Sequence, residues 1–194
     1  AEVATPNTAE WDTSNVENMA LMFQNALAAN PDTSSWNTSS VENMHWMFSG
    51  AQAANPDVSG WNTSSVTNMY ALFSATPVAD PDVSQWDTSS VQTMDFVFSS
   101  ASVANPDVSD WLTSNVVSMS WMFANAHGAN PNVSSWDTSS VEDMSRMFSY
   151  AEAASPDMSD WNLTSITNMY NMLEGIDIGT ENYSSFLMQL AQTN

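Results

Sequence analysis

Tryptophan recurs every 25 residues, at Trp11, Trp36, Trp61, Trp86, Trp111, Trp136 and Trp161, with no insertion or deletion between them. A fixed period in this range marks a chain that winds into stacked repeats, because no single unit can bury its own apolar face. Each repeat position becomes a column of side chains running along the stack.

The unit beginning at Asn55 has two halves. In Asn55-Pro56-Asp57-Val58-Ser59 the alternation turns Val58 inward and Asn55, Asp57 and Ser59 outward, as in a β-strand. Val41, Met44, Met47, Phe48 and Ala51 follow offsets of 3, 3, 1 and 3, which predict one apolar face of a short helix. Ser39 before Val41-Glu42, repeated at Ser14 with Glu17 and at Ser139 with Glu142, reads as a capping box for that helix. The expected fold class is therefore an α/β repeat solenoid. It is a right-handed coil of about seven 25-residue units, each with one parallel β-strand and one short helix or 3₁₀ segment. The predicted organisation is a single domain over 1–194: a partial unit at 1–10, repeats over 11–175 and a C-terminal cap at 176–194. In the last segment, Phe186-Leu187-Met188-Gln189-Leu190 predicts an amphipathic helix sealing the stack. The Trp and Met columns read as core.

Charge narrows the partners. The chain carries 22 acidic residues, one arginine (Arg146) and no lysine, for a net charge of -21. Phosphate recognition needs Lys or Arg, so no nucleic-acid partner is expected and anionic membranes are very poor partners. No apolar run is long enough to cross a bilayer, so no direct membrane insertion is expected. Cysteine is absent, which removes disulfides and thiolate metal sites. Many acids with no lysine suit a salty, extracellular setting.

On the outward face of the strand half, three columns run in register. One is Asp32, Asp57, Asp82, Asp107, Asn132 and Asp157; two residues earlier stand Asn30, Asn55, Asp80, Asn105 and Asn130; two residues later stands serine. Parallel strands about 4.8 Å apart would place successive carboxylates in a row with no cationic side chain to offset them. Oxygen-only ligands at this spacing suit a hard cation, so one expectation is a ladder of Ca²⁺ ions shared by successive coils. The other is that these Asp and Asn cap turns by accepting backbone amides. The two do not exclude each other. The Thr13, Thr38, Thr63, Thr88, Thr113, Thr138 column is expected to bond neighbouring coils or cap helices, and too narrow a threonine face is offered to favour ice binding.

A further column holds Leu21, Trp46, Ala71, Phe96, Trp121, Arg146 and Asn171, with Tyr70 and His45 one position earlier. It varies where core columns hardly do, yet it holds two tryptophans and a phenylalanine. Leu21, Trp46, Tyr70, Phe96 and Trp121 are thus the candidate binding surface, an exposed aromatic stripe, or else side-chain cover over a neighbouring element.

The unit Trp36-Asn37-Thr38-Ser39-Ser40-Val41-Glu42-Asn43-Met44, continued through Met47-Phe48, resembles the BspA-like leucine-rich-repeat surface proteins over about residues 5 to 175. The Trp-rich, acidic version is similar to ligand-binding modules of large bacterial RTX-type adhesins. The resemblance implies a surface or secreted location as part of a larger protein, and no catalytic activity.

Two histidines, His45 and His127, sit at unrelated offsets, and five glycines make no phosphate-binding loop. Repetition also works against the unique constellation that catalysis needs. The expected function is an extracellular, calcium-stabilised adhesion module that binds a cell-surface peptide, protein or glycan. The rival expectation is a structural spacer or a self-associating domain, with a homodimer possible and no ligand.

Overall fold

The computed structural model of the chain describes residues 7–192. Successive 25-residue units stack as coils in register. Isolated parallel bridges link Asn18 to Asn43, Asn43 to Asn68, Asn68 to Thr93, Thr93 to Ser118, Ser118 to Asp143 and Asp143 to Asn168.

The units are not built as an α/β solenoid. Among the described residues there is one helix, α1 (Gly179–Gln192), and no extended strand. Where the spacing predicts a helix, over Val41 to Ala51, the chain makes a run of three-residue turns. Met47 N–H donates to Met44 O at 3.2 Å, Ser49 to Trp46 at 3.2 Å, Ala51 to Phe48 at 2.9 Å and Ala54 to Ala51 at 3.2 Å. The intervening amides leave the coil. Met44, Trp46, Phe48 and Gly50 donate to the carbonyls of Asn68, Tyr70, Leu72 and Ser74 in the next coil, at 2.8–3.0 Å. Alternate donors thus serve the local turn and the neighbour, which satisfies the backbone without either regular element.

Left-handed residues enforce this pattern. Trp46 has φ 55° and Gly50 φ 70°, and both positions stay positive in every described coil, from Leu21 and Asn25 to Asn171 and Gly175. A residue with positive φ cannot continue a right-handed helix. The strain at the non-glycine positions is about 1–2 kcal/mol each, offset by the inter-coil bond that each of the Leu21, Trp46, Ala71, Phe96, Trp121 and Arg146 amides makes. The capping-box serine has no helix to cap; the Ser39 hydroxyl donates instead to Asn37 Oδ1 at 2.7 Å.

The strand half keeps its alternation without its ladder. Asn55, Asp57 and Ser59 are exposed, while Pro56 and Val58 are buried. Pro56 offers no N–H, and side chains replace the missing backbone ladder. Asn30 Oδ1 accepts the Asn55 amide at 2.8 Å, and the same bond recurs from Asn55 to Asp80, Asp80 to Asn105, Asn105 to Asn130 and Asn130 to Ser155.

The core is a set of continuous columns. Phe48, Phe73, Phe98, Phe123 and Phe148 are fully buried and stack at 5.6–5.7 Å with interplanar angles of 10° or less. Trp36, Trp61, Trp86 and Trp111 stack alongside at 6.1–6.2 Å. Each indole also reaches one coil back: Trp86 Nε1 donates to Val58 O and Trp111 Nε1 to Val83 O, both at 3.1 Å. The threonine column does bond neighbouring coils, with buried Thr38, Thr63 and Thr138 hydroxyls each donating 2.9 Å to a carbonyl 24 residues on. In the last coil this column holds Leu163, where no further coil offers a carbonyl.

The terminal helix forms in the segment where the apolar spacing predicts one. α1 lies against the last coil, with Phe186 buried beside Met169, Met172 and Leu173, and Asn182 and Gln189 donating to the carbonyls of Ser155 and Ser159.

Candidate functional site

The carboxylate columns come first, because sequence spacing singled them out for metal. Asp32, Asp57, Asp82, Asp107, Asn132 and Asp157 are all exposed, and each offers its Oδ1 to the backbone N–H two residues on, at 3.0–3.3 Å. Most also accept the hydroxyl of that serine, at 2.7–2.8 Å in Asp32, Asp57, Asp82, Asp107 and Asn132. These are Asx turns. The serine hydroxyl and then the serine amide hold Asp32, Asp82, Asp107 and Asp157 below the usual carboxylate range. Asp12, Asp87 and Asp137, in the column after the tryptophan, are lowered by the same two bonds from Ser14, Ser89 and Ser139. In the earlier column, the Oδ1 atoms of Asn30, Asn55, Asp80, Asn105 and Asn130 are committed to the next coil's amide. Among the described residues, no three acidic or histidine side chains converge as a metal group. The Oδ1 atoms of these columns thus serve turn capping and coil-to-coil bonding, and no group of acidic side chains among the described residues supports the calcium ladder. Acids that repeat once per coil are spread along the stack rather than gathered about a point.

The aromatic column builds a different surface. Its residues sit at the left-handed position of each coil, with φ of 55° at Trp46, 59° at Phe96, 57° at Trp121 and 54° at Arg146. Aromatic side chains are uncommon there. Ala71 is too small to span its place, and Tyr70 fills the gap, its ring 5.6 Å from Trp46 and 5.5 Å from Phe96. Phe96 stacks on Trp121 at 5.5 Å and 14°. The Arg146 guanidinium covers Trp121 at 4.5 Å and reaches Tyr170 at 5.4 Å. His45 meets Trp46 edge-on at 5.8 Å. The result is one row, His45–Trp46–Tyr70–Phe96–Trp121–Arg146–Tyr170, running across six coils. Trp46 is 37% exposed and Tyr170 63%. Leu21 is exposed at the near end and lies outside the ring contacts. Burial, with the Asp95 charge second, pushes the Tyr70 phenol up.

Sequence spacing did not reveal the hollow that lies beside Trp121 and Arg146. A hollow of about 340 Å³ is lined by Trp121, Asn125, Arg146, Ser149, Tyr150 and Glu174. Glu174 is held there by Tyr150 Oη at 3.0 Å, Asn171 Nδ2 at 2.7 Å and Ser149 Oγ at 3.4 Å. That hydrogen bond to Glu174, reinforced by its charge, pushes the Tyr150 phenol up. The legible signal was the column Asn25, Gly50, Ala75, Ser100, Asn125, Tyr150 and Gly175, where the two Gly and two Asn mark a left-handed backbone and so a sharp bend beside the stripe.

The geometry defines a repeat protein of stacked, turn-rich coils with a continuous aromatic row on its flank. The chain belongs to the family described as "Mycoplasma protein of unknown function, DUF285", whose model matches residues 1–82 and 75–186. No curated protein and no solved structure matches it.

Proposed function

We propose that the chain is an adhesion module of a larger protein at the cell surface, and that it docks a peptide or protein segment along the row from Trp46 to Trp121. The observation that carries this reading is the row itself: large aromatic side chains kept half exposed at a strained backbone position that asparagine would occupy more easily. The resemblance to BspA-like and RTX-type surface proteins, and the lysine-free acidic composition, support an extracellular setting.

The ring geometry favours peptide over glycan. One face of Trp121 is taken by Phe96 and the other by Arg146. A sugar that stacks flat therefore finds no free face there, whereas apolar side chains pack against ring edges.

The test is a peptide array and a glycan array probed with the intact chain and with a variant carrying Trp46→Asn, Phe96→Asn and Trp121→Asn. Asparagine tolerates left-handed φ and stands in this column at Asn171. Peptide signals that vanish in the variant, with folding retained, support docking. Blank arrays together with a dimer in light scattering replace it with the self-associating spacer.

A further inference from the structure

We infer that the hollow beside Trp121 and Arg146 in the aromatic row is a carboxylate-binding site, with the Arg146 guanidinium as its anchor. The inference deepens the docking reading and rests on it for the wider ligand, a partner segment whose apolar residues lie along the row.

The argument begins with an imbalance. In a chain of 22 acids, the single arginine forms no ion pair with any described residue; among the described residues the one ion pair is His127 with Glu152, at 3.8 Å. Nor does the Arg146 side chain donate a hydrogen bond to any described residue. Its flat faces are used, against Trp121 and Tyr170, but its fork of N–H donors is not. A guanidinium has five donors in a plane, and a carboxylate accepts two of them in parallel. Stacking holds that plane in place, which lowers the entropy lost when a ligand binds.

The lining is complementary to such a ligand. Glu174 is the one acid among the six lining residues, and its oxygens already accept Tyr150, Asn171 and Ser149. Its oxygens are committed within the protein, although its charge opposes an anionic ligand, and Arg146 lines the same hollow with its N–H fork unused by any described residue. Asn125 adds an amide on the lining, and the volume holds a carboxylate with the first atoms of its chain. Net repulsion from a charge of -21 opposes entry, but it is screened beyond about 8 Å at about 0.15 M ionic strength.

The test is an NMR titration of the intact chain with 3-phenylpropionate and with 3-phenylpropionamide at matched ionic strength. The carboxylate should shift the Trp121 indole and Arg146 Nε signals and bind at least about tenfold more tightly than the amide, as expected for a charge-assisted pair. Arg146→Asn should abolish that preference, and Arg146→Lys, which keeps charge but loses the fork, should reduce it. Equal affinity for acid and amide, shifts elsewhere, or a preference that survives in Arg146→Asn would overturn the proposal. The native titration stands even where a variant does not fold. N-acetyl-Phe-Asp-amide and N-acetyl-Ala-Phe then separate a side-chain carboxylate from a chain terminus. Carboxylate binding with blank peptide arrays would remove the docking reading and leave this site intact.

Discussion

The indole nitrogen of Trp86 donates to the carbonyl of Val58, 3.1 Å away and 28 residues earlier. This bond crosses from one coil to the previous one, while the ring stacks on Trp61 and Trp111 at 6.1 and 6.2 Å. One side chain thus fixes both the spacing and the register of three coils. Trp86→Phe keeps a ring in the column and removes this bond, while Val58 O keeps the Trp61 amide at 3.1 Å. The expected loss is about 0.5–1.5 kcal/mol in urea unfolding. Trp86→Ala should lose about 3–5 kcal/mol. Equal losses would mean that the stacked ring contributes nothing, and an unchanged midpoint in Trp86→Phe would mean that the hydrogen bond contributes nothing.

The buried threonines make the complementary connection forward. Thr88 donates to Leu112 O at 3.0 Å and accepts the Leu112 amide at 2.8 Å. Thr88→Val keeps the shape and strands both groups. It should cost about 1–3 kcal/mol by denaturant midpoint at unchanged slope. A neutral result would show that the coils hold together by apolar packing alone.

Gly175 and Gly60 separate backbone strain from mere loss of glycine. Gly175 has φ 76°, and a Cβ there would come 2.5 Å from the Tyr150 ring, whereas a Cβ at Gly60 meets nothing within 4 Å. Gly175→Ala should lower stability by about 1–3 kcal/mol. Gly60→Ala should leave it unchanged or raise it by about 0.4–1 kcal/mol. Thermal melts of the two variants check the contrast, and a Gly175→Ala chain as stable as the parent would contradict the close approach.

Acid should unfold the chain through its Asx turns. The folded-state values of Asp12, Asp32, Asp82, Asp87, Asp107, Asp137 and Asp157 lie below 3.8. For depressed carboxylates the stabilisation is present above the unfolded value and is lost as pH falls through the folded one. Melting temperature should therefore fall below about pH 4. Asp82→Asn keeps the acceptor for Ser84 and should flatten that loss, while Asp82→Ala should destabilise at neutral pH. A melting temperature that keeps rising down to pH 2 would sink this account. At matched ionic strength EDTA should leave the neutral-pH melt unmoved, because serine holds one oxygen of each of these carboxylates in its turn.

Part of this fold was legible because burial leaves a direct trace in sequence. Pro56 and Val58 alternate with Asn55, Asp57 and Ser59, and they alternate in exposure as well. The period placed Trp36, Trp61 and Trp86 in one column, and the apolar spacing placed a helix in the terminal segment. The coil interior was misread because apolar offsets of three suit a helix and a chain of three-residue turns equally. Only the left-handed positions separate the two, and Trp46 or Phe96 does not advertise positive φ as Gly50 does. The aromatic row was visible as a column, but its closure by Arg146 was not. That contact depends on where a flexible side chain lays its guanidinium, and spacing does not encode it. The acidic columns misled for a related reason. Register brings equivalent carboxylates alongside, yet the Asp32 to Asp157 column bonds locally to its own serines and Asp80 bonds the next coil's amide.

The central claim is that neighbours in space are 25 residues apart. Selective ring labelling of phenylalanine with NOE spectroscopy tests it directly. The account predicts cross-peaks from Phe98 to Phe73 and Phe123, whose ring centroids lie 5.7 and 5.6 Å away. Cross-peaks confined to residues three and four apart within each unit, with none between the phenylalanines, would contradict it.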